Sequence, residues 1–388
     1  MDLHLRLMEC LDEPEPSFRE RTRAAWTSRC PGADAPILLF GAGHLGRKLQ
    51  RTLEGSRFKV IAFADNDPSK WGTLVQGLPV LSPEDACRRH GEKACFVVSI
   101  WRAEGEPHRF PDTEARLRTL GARRVAHFCH LACQHPEGLI PHYSLDLPQR
   151  VRDARQAVLE ALDLFQEPRS RELFLRHALW RLTLDFTVLP ATDPEEIYFP
   201  EGIFAAGEQD VIVDAGAFDG DTCQRMFEVW GNRARRIHAF EPDPASATKF
   251  RSWLEGSPHR DRVAFHPVAL SARAGSVAFE GTGTLNATAS RKGGTQVPCH
   301  RLDDLLKEDP PDFIKMDIEG AEKDALLGAE GLLRRGPRVA ICLYHVQDHL
   351  WTIPLLLKAW MPGHDLRLRY HGTDAWELVL YSIPPGTP

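Results

Sequence analysis

At 388 residues with a net charge of −6, the chain is long enough for two domains with their own cores, and its acidic balance argues against a general nucleic-acid binder. Its 43% hydrophobic and 26% charged content is ordinary for a globular protein, and no run of about 18 apolar residues is present to span a membrane. The opening MDLHLRLMECLDEPEPSFRE lacks a basic start followed by an apolar core, so no secretory leader is expected, and nine cysteines without a repeated spacing read as free thiols in a reducing cytoplasm.

Residues 1–34 read as a polar helical lead-in. An apolar strand, PILLF, then runs into Gly41, Gly43 and Gly46 at G-x-G-x-x-G spacing. A second strand over Lys59–Ala64 ends at Asp65, about twenty residues past the glycines, where a dinucleotide fold keeps its ribose acid. The charges at this turn are Arg47 and Lys48, so any ligand here is expected to be anionic, such as a nucleotide sugar or dinucleotide. The polar run DNDPSKWG resembles the sugar-nucleotide-binding Rossmann domains attached to acyltransferases and glycan enzymes. ACFVVSI (Ala94–Ile100) reads as a further buried strand and Thr113–Leu120 as a helix, giving a Rossmann-like domain over 35–128.

Residues 129–197 read as a connector and helical bridge. FCHLACQHPEGLI places Cys129, His130, Cys133 and His135 close together, but the spacing matches no common zinc pattern, so a half-buried connector is expected rather than a metal site. From Val151 to about Leu189 the pattern is helical, with a second helix starting near Ser170 after Pro168. Arg181 and Asp185, at i and i+4, read as a surface pair.

The chemistry is concentrated after residue 198. VIVDAGAFDGDT (Val211–Thr222) is a buried strand, a glycine turn at Gly216 and Gly220, and a helix start; IHAFEPD then ends a second strand in Glu241. The layout repeats the βαβ unit, but the turn carries Asp214, Asp219 and Asp221 and no cation. A pyrophosphate would meet three carboxylates, so the ligand is expected not to be strongly anionic. In IKMDIEGAE, Asp317 and Glu319 emerge at the carboxyl end of another strand, where open α/β sheets bind ligands. RVAICL then delivers Tyr344 and His345 to the same edge, with Asp348 and His349 on the next turn. Ser276–Glu280 and Gln296–His300 read as an inserted hairpin, and the intervening GTGTLNATASRKGGT as a mobile loop at a substrate mouth. LRLRYHG and AWELVLYSI read as a last antiparallel pair.

On VDAGAFDGDT, AFEPD, IKMDIEGAE and YHVQDHLWTIP, residues 198–388 resemble the FkbM family of class I methyltransferases, and SRELFLRHALWRLTLDF resembles the segment preceding that domain in two-domain bacterial members. The resemblance implies an α/β chain of two Rossmann-like domains joined by the helical bridge, the second with a class I sheet ending in an antiparallel pair. It implies S-adenosylmethionine as cofactor, held by Asp214, Gly216, Ala217, Phe218, Gly220, Thr222, Glu241 and Asp317. It places Tyr198 and Phe199 near that cofactor, with core packing an equal reading. The adenine strand end, VAFHPVAL followed by Ser271, offers apolar residues where many class I enzymes place an Asp, so packing and backbone groups are expected to hold the base. The expected activity is O-methylation of a sugar, glycan or polyketide-like hydroxyl.

Methyl transfer is a displacement at carbon that depends on alignment, and a hydroxyl acceptor must also lose a proton. His345 is the candidate base, and Asp317 or Glu319 orients the acceptor or holds the cofactor's amino group. Three alternatives stay open: a metal-assisted O-methyltransferase with Asp317, Glu319 and His345 on an ion, an oxidoreductase working from the Gly41 turn, and a binding protein without turnover. The expected partner is a small-molecule or glycan substrate, and nothing in the pattern decides between a monomer and a homo-oligomer.

Overall fold

A computed structural model describes residues 2–32, 35–101, 108–280, 288–290 and 295–386. The chain divides into two compact units that interleave in sequence: 1–158, 172–192 and 372–376 form the first, and 159–171, 193–371 and 377–388 the second. The segment read as a connector is thus shared between them.

In the first unit, β1 (Ile37–Phe40), β2 (Val60–Ala64), β3 (Leu74–Val75), β4 (Leu78–Leu81), β5 (Cys95–Val98) and β6 (Arg124–His127) form one sheet in the order β3-β4-β2-β1-β5-β6, parallel except at β3. β1 and β5 are buried along their whole length, as continuous apolar runs in a parallel sheet must be. β3, β4 and β6, at two to four residues, are too short for any sequence period to announce them. Helices Leu3–Leu11 and Glu15–Thr27 precede the sheet. The expected surface pair of Arg181 and Asp185 is not formed: Arg181 is 1% exposed and donates to the His177 carbonyl, while Asp185 pairs with Arg6 at 3.3 Å. Helical spacing put the two charges on one face, but that face packs inward at Arg181.

Asp65 shows how the first glycine turn is held. Its carboxylate accepts from the backbone N–H of Ala42 (2.8 Å) and of Asp67 (2.9 Å), and Lys70 Nζ lies 3.1 Å away. Gly46 packs the following helix, His44–Leu53, so closely that a Cβ there would lie 2.0 Å from the Gly41 carbonyl oxygen.

In the second unit, β7 (Asp210–Ala215), β8 (Ala234–Phe240), β9 (Val263–His266), β14 (Phe313–Met316), β15 (Arg338–Cys342), β16 (Asp365–Tyr370) and β17 (Leu378–Ile383) form a seven-stranded sheet. Its order is β9-β8-β7-β14-β15-β17-β16, with β17 antiparallel to both neighbours and the other pairings parallel. This is the expected class I methyltransferase sheet with its terminal antiparallel pair. The inserted hairpin is a small sheet: β10 (Ala269–Leu270), β11 (Gly275–Glu280), β12 (Thr288–Ser290) and β13 (Thr295–His300), in the order β10-β13-β11-β12. Apart from β12 and Thr295, the loop expected at the substrate mouth lies outside the described residues. Among the described residues, no helix is long and apolar enough to cross a membrane.

Two glycines of the first turn separate packing from simple geometry. Gly46→Ala is expected to lower stability by about 1–3 kcal/mol through overpacking. Gly43→Ala, whose Cβ would meet nothing within 4 Å, is expected to cost under about 1 kcal/mol. Urea unfolding followed by circular dichroism checks the ordering, and equal losses would refute it.

Candidate active site

The glycine turn after β7 rests on a buried ion pair. Asp214 is fully buried, and Lys315 of the adjacent strand β14 places Nζ 2.9 Å from its Oδ1. Lys315 Nζ also donates to the carbonyls of Gly216 (2.7 Å) and Ala215 (3.3 Å), and the Cys223 thiol donates to Asp214 Oδ2 at 3.2 Å. Burial works to lower the lysine's pKa, but the charges of Asp214 and Asp317 override it and hold Lys315 above its ordinary value. The turn then closes by donating Gly216 and Ala217 N–H to the Phe240 carbonyl. Gly216 takes φ +81°, and a Cβ there would lie 1.8 Å from the Asp317 carbonyl oxygen. Glycine is therefore required on both conformational and contact grounds.

Glu241, at the end of β8, is 7% exposed. One oxygen accepts from Phe218 N–H (3.0 Å) and the other from Asp243 N–H (2.8 Å), which leaves each oxygen a further lone pair. Burial, partly opposed by those two N–H groups, raises its pKa to about 7. Glu241 lines a cleft whose far wall is Val268, Ala269, Leu270 and Val277 with Ser271, and whose opposite rim carries Asp317 and Glu319. The apolar strand end expected for a purine is therefore a wall of this cleft.

The rim beyond β14 and β15 is a run of alternating charge. Asp317 Oδ2 accepts from the Tyr198 hydroxyl (2.6 Å) and Oδ1 from the Tyr344 hydroxyl (3.3 Å). His345 Nε2 lies 3.3 Å from Asp317 Oδ1 and 3.9 Å from Glu319 Oε1, and its Nδ1 lies 2.6 Å from Glu322 Oε1. Glu322, fully buried, also meets His349 Nδ1 at 3.3 Å. Burial acts to lower the His345 pKa, but Glu322, with Glu319 and Asp317, raises it to about 10. Asp317 and Glu322 are correspondingly held below their usual range, His345 overriding the effect of their burial. The imidazole therefore stands protonated at neutral pH in the absence of ligands, a state from which it cannot accept a proton.

Of the sequence-predicted residues, Gly216, Phe218, Glu241, Asp317 and Glu319 line the cleft. His345 sits directly behind Asp317. Asp214, Ala217, Gly220 and Thr222 shape the turn from beneath: Gly220, at φ +97°, abuts the Trp253 ring, and Ala217 is wholly buried. The expectation of three carboxylates facing a ligand is corrected, because Lys315 neutralises Asp214 from a strand a hundred residues away. Lys315, Glu322 and His349 were given no role from sequence. A lysine inside an otherwise apolar strand was the available signal for the first, since a lysine is almost never buried without a partner. Cys129 and His130, expected in a half-buried connector, are fully buried in the first unit, with His130 against the Phe110 ring and Cys129 Sγ 3.0 Å from His127 Nδ1. Among the described residues, the one group of ligand-type side chains close enough for an ion is Asp317, Glu322 and His345.

Sheet order and cleft position together define the class I methyltransferase fold. Residues 214–368 match the methyltransferase FkbM domain family. It is 28% identical over 149 residues to the 2-O-methyltransferase NoeI of Sinorhizobium fredii, spanning 32% of this chain and 59% of that protein. It is 32% identical over 111 residues to the redox-sensing transcriptional repressor Rex of a Roseiflexus species, spanning 28% of this chain and 49% of that one. The chain thus spans about half the length of these curated relatives. The solved structure of methyltransferase FkbM from Methylobacillus flagellatus is 19% identical, with a TM-score of 0.76 over 98% of this chain and 99% of that chain, a likeness of fold.

Removing one member of the buried pair is expected to cost far more than removing both charges. Lys315→Met should destabilise the second unit by about 3–5 kcal/mol, leaving Asp214 buried and unpaired. Adding Asp214→Asn to it should recover a large part of that loss. Thermal unfolding of the two variants decides, and a double variant no more stable than the single one would sink the pairing argument.

Proposed function

We propose that the second unit binds S-adenosylmethionine in this cleft and transfers its methyl group to a hydroxyl of a sugar, glycan or polyketide-like small molecule. Glu241 carries the reading: a carboxylate with two outward lone pairs at the end of β8, facing an apolar wall that suits adenine, is placed to accept both ribose hydroxyls. The methyltransferase FkbM domain supports the reaction class, and the partial likeness to a 2-O-methyltransferase supports oxygen as the acceptor atom. In the transfer, the acceptor oxygen's lone pair forms the new bond to carbon. The S–C bonding pair stays on sulfur, giving S-adenosylhomocysteine, and the hydroxyl proton leaves to a base or to water.

Strand order separates the two jobs. Glu241 follows β8 and His345 follows β15, with β7 and β14 between them, a separation of roughly 14 Å at about 4.8 Å per strand. On this reading the adenosine end and the acceptor end are on opposite sides of Asp317. Asp317 and Glu319 are proposed to orient the acceptor or the cofactor's amino group. His345 is proposed to serve the transfer itself, as base once its resting proton has been displaced.

Cofactor affinity is expected to depend on pH through Glu241. The ionised carboxylate is the better acceptor for two hydroxyls, so binding should weaken as pH falls below about 7, by up to roughly tenfold per pH unit. Glu241→Gln should remove that dependence, and Glu241→Ala should weaken binding at pH 8 by about 1.5–3 kcal/mol. Calorimetric titration with S-adenosylmethionine tests both, and unchanged affinity in the alanine variant would move the adenosine elsewhere.

His345→Ala is expected to lower kcat by about 10²–10⁴-fold while S-adenosylmethionine affinity stays within a few-fold. Single-turnover assays beside calorimetry read the two separately. Normal turnover with reduced thermal stability would make the histidine purely structural.

A further inference from the structure

We propose that Asp317 receives the ammonium group at the amino-acid end of the cofactor, and that Tyr198 is the positioning residue that holds Asp317 for it. The proposal rests on the methyl-transfer reading and deepens it, choosing between the two partners open to Asp317 and adding a residue from outside the sheet. Strand order supplies the frame. Glu241 ends β8, Gly216 follows β7 and Asp317 follows β14, and these strands are neighbours in that order. Asp317 therefore stands two strands from the acid assigned to the ribose, roughly 10 Å at about 4.8 Å per strand. That span suits the extended chain that joins the ribose to the ammonium. Gly216, Glu241 and Asp317 all line the cleft. Gly216 abuts the Asp317 carbonyl and, being glycine, puts no side chain on the floor between the two acids.

Asp317 has room for a further donor. Its side chain is 23% exposed. Oδ1 faces the Tyr344 hydroxyl and His345 Nε2, each at 3.3 Å, whereas Oδ2 accepts from the Tyr198 hydroxyl at 2.6 Å. A carboxylate oxygen accepts about two hydrogen bonds, so Oδ2 keeps a place beside Tyr198. The Tyr198 bond is the short, charge-assisted one of the three, and it sets the plane of the carboxylate. Tyr198 is itself firmly held. Its backbone stands at φ +66°, a strained conformation for an aromatic residue and one that clusters at ligand sites. The strain is supported by a chain of bonds. Tyr198 N–H donates to the Tyr381 hydroxyl at 3.1 Å, that hydroxyl meets His371 Nε2 at 2.9 Å, and His371 Nδ1 meets the Glu195 carbonyl at 2.9 Å. Lys315 Nζ lies 5.3 Å from the Tyr198 ring centroid. Packing alone would need the ring and not the hydroxyl.

The test is calorimetric titration of the full chain with three probes. S-adenosylmethionine carries the ammonium and a cationic sulfur, S-adenosylhomocysteine keeps the ammonium with a neutral sulfur, and 5′-methylthioadenosine lacks the amino-acid end. Tyr198→Phe removes one oxygen and keeps the ring. It should weaken the first two probes by roughly 3–10-fold and leave 5′-methylthioadenosine within about twofold. Asp317→Asn should weaken the first two by roughly 10–100-fold with the same sparing of the third. A residue that only supported the fold would move all three affinities together or none. An unchanged ratio of S-adenosylmethionine to 5′-methylthioadenosine affinity in either variant therefore overturns the proposal. A loss confined to S-adenosylmethionine also overturns it, because Asp317 would then answer the sulfonium. Wild-type protein that binds none of the probes defeats the adenosine reading and this proposal with it, whereas wild-type binding with an unchanged ratio in the variants defeats this proposal alone.

Discussion

The cleft depends on a lysine inside a β-sheet. Lys315 lies on the wholly buried strand β14, where an unpaired ammonium would cost several kcal/mol. The cost is met locally: Asp214 supplies the counter-charge from β7, and the carbonyls of Ala215 and Gly216 take the remaining protons. Those carbonyls belong to the strand end and the glycine turn, so the ion pair fixes where the turn begins. It also sets the turn's charge, since Asp214 no longer faces a ligand as an anion. On the turn's side of the cleft the lining is Gly216, Phe218 and Glu241.

From that floor the charges alternate outward: Lys315, Asp317, His345, Glu322. Each member neutralises the next, which is how several ionisable groups persist in one interior. Hydrogen-bonded networks of this kind rigidify a site when complete and destabilise it when one member is lost. The rigidity suits a reaction that consists mostly of alignment. Tyr198, itself held at φ +66° by its backbone N–H bond to the Tyr381 hydroxyl, reaches Asp317 from outside the sheet. The tract read as either cofactor-facing or core is therefore both buried and bonded to the site.

How much of this was legible follows from the range of each signal. Continuous apolar runs, glycine turns and terminal acids are local, and they were enough for the strands that carry Gly216, Glu241, Asp317 and His345. Short strands such as β3 and β6 have too few residues to show a period. Partners across strands are not encoded locally at all: nothing near Asp214 announces Lys315, and nothing near His345 announces Glu322. The protonation state of His345 was likewise out of reach, because burial and three carboxylates push it in opposite directions and only their distances decide between them. Arg181 fails for the same reason, since helical spacing gives a face but not which side of that face is covered.

The two glycine turns of this chain repeat one device with different outcomes. In each, the acid at the end of the second strand accepts a backbone N–H from the glycine turn: Ala42 N–H to Asp65, Phe218 N–H to Glu241. In each, the other oxygen accepts the N–H two residues on, from Asp67 and Asp243. Both acids are 7% exposed, so the acid's first task is to brace the turn, and its presence alone says little about a ligand. The difference is what lies over it. Lys70 Nζ occupies the Asp65 oxygen that holds Ala42, at 3.1 Å, whereas Glu241 opens onto an apolar cleft. A carboxylate already paired with a lysine gains little from a ribose hydroxyl. One left to burial, with its pKa raised to about 7, gains both hydrogen bonds and relief of an unfavourable charge. The acid of the second turn is thus braced from below and open to the cleft above.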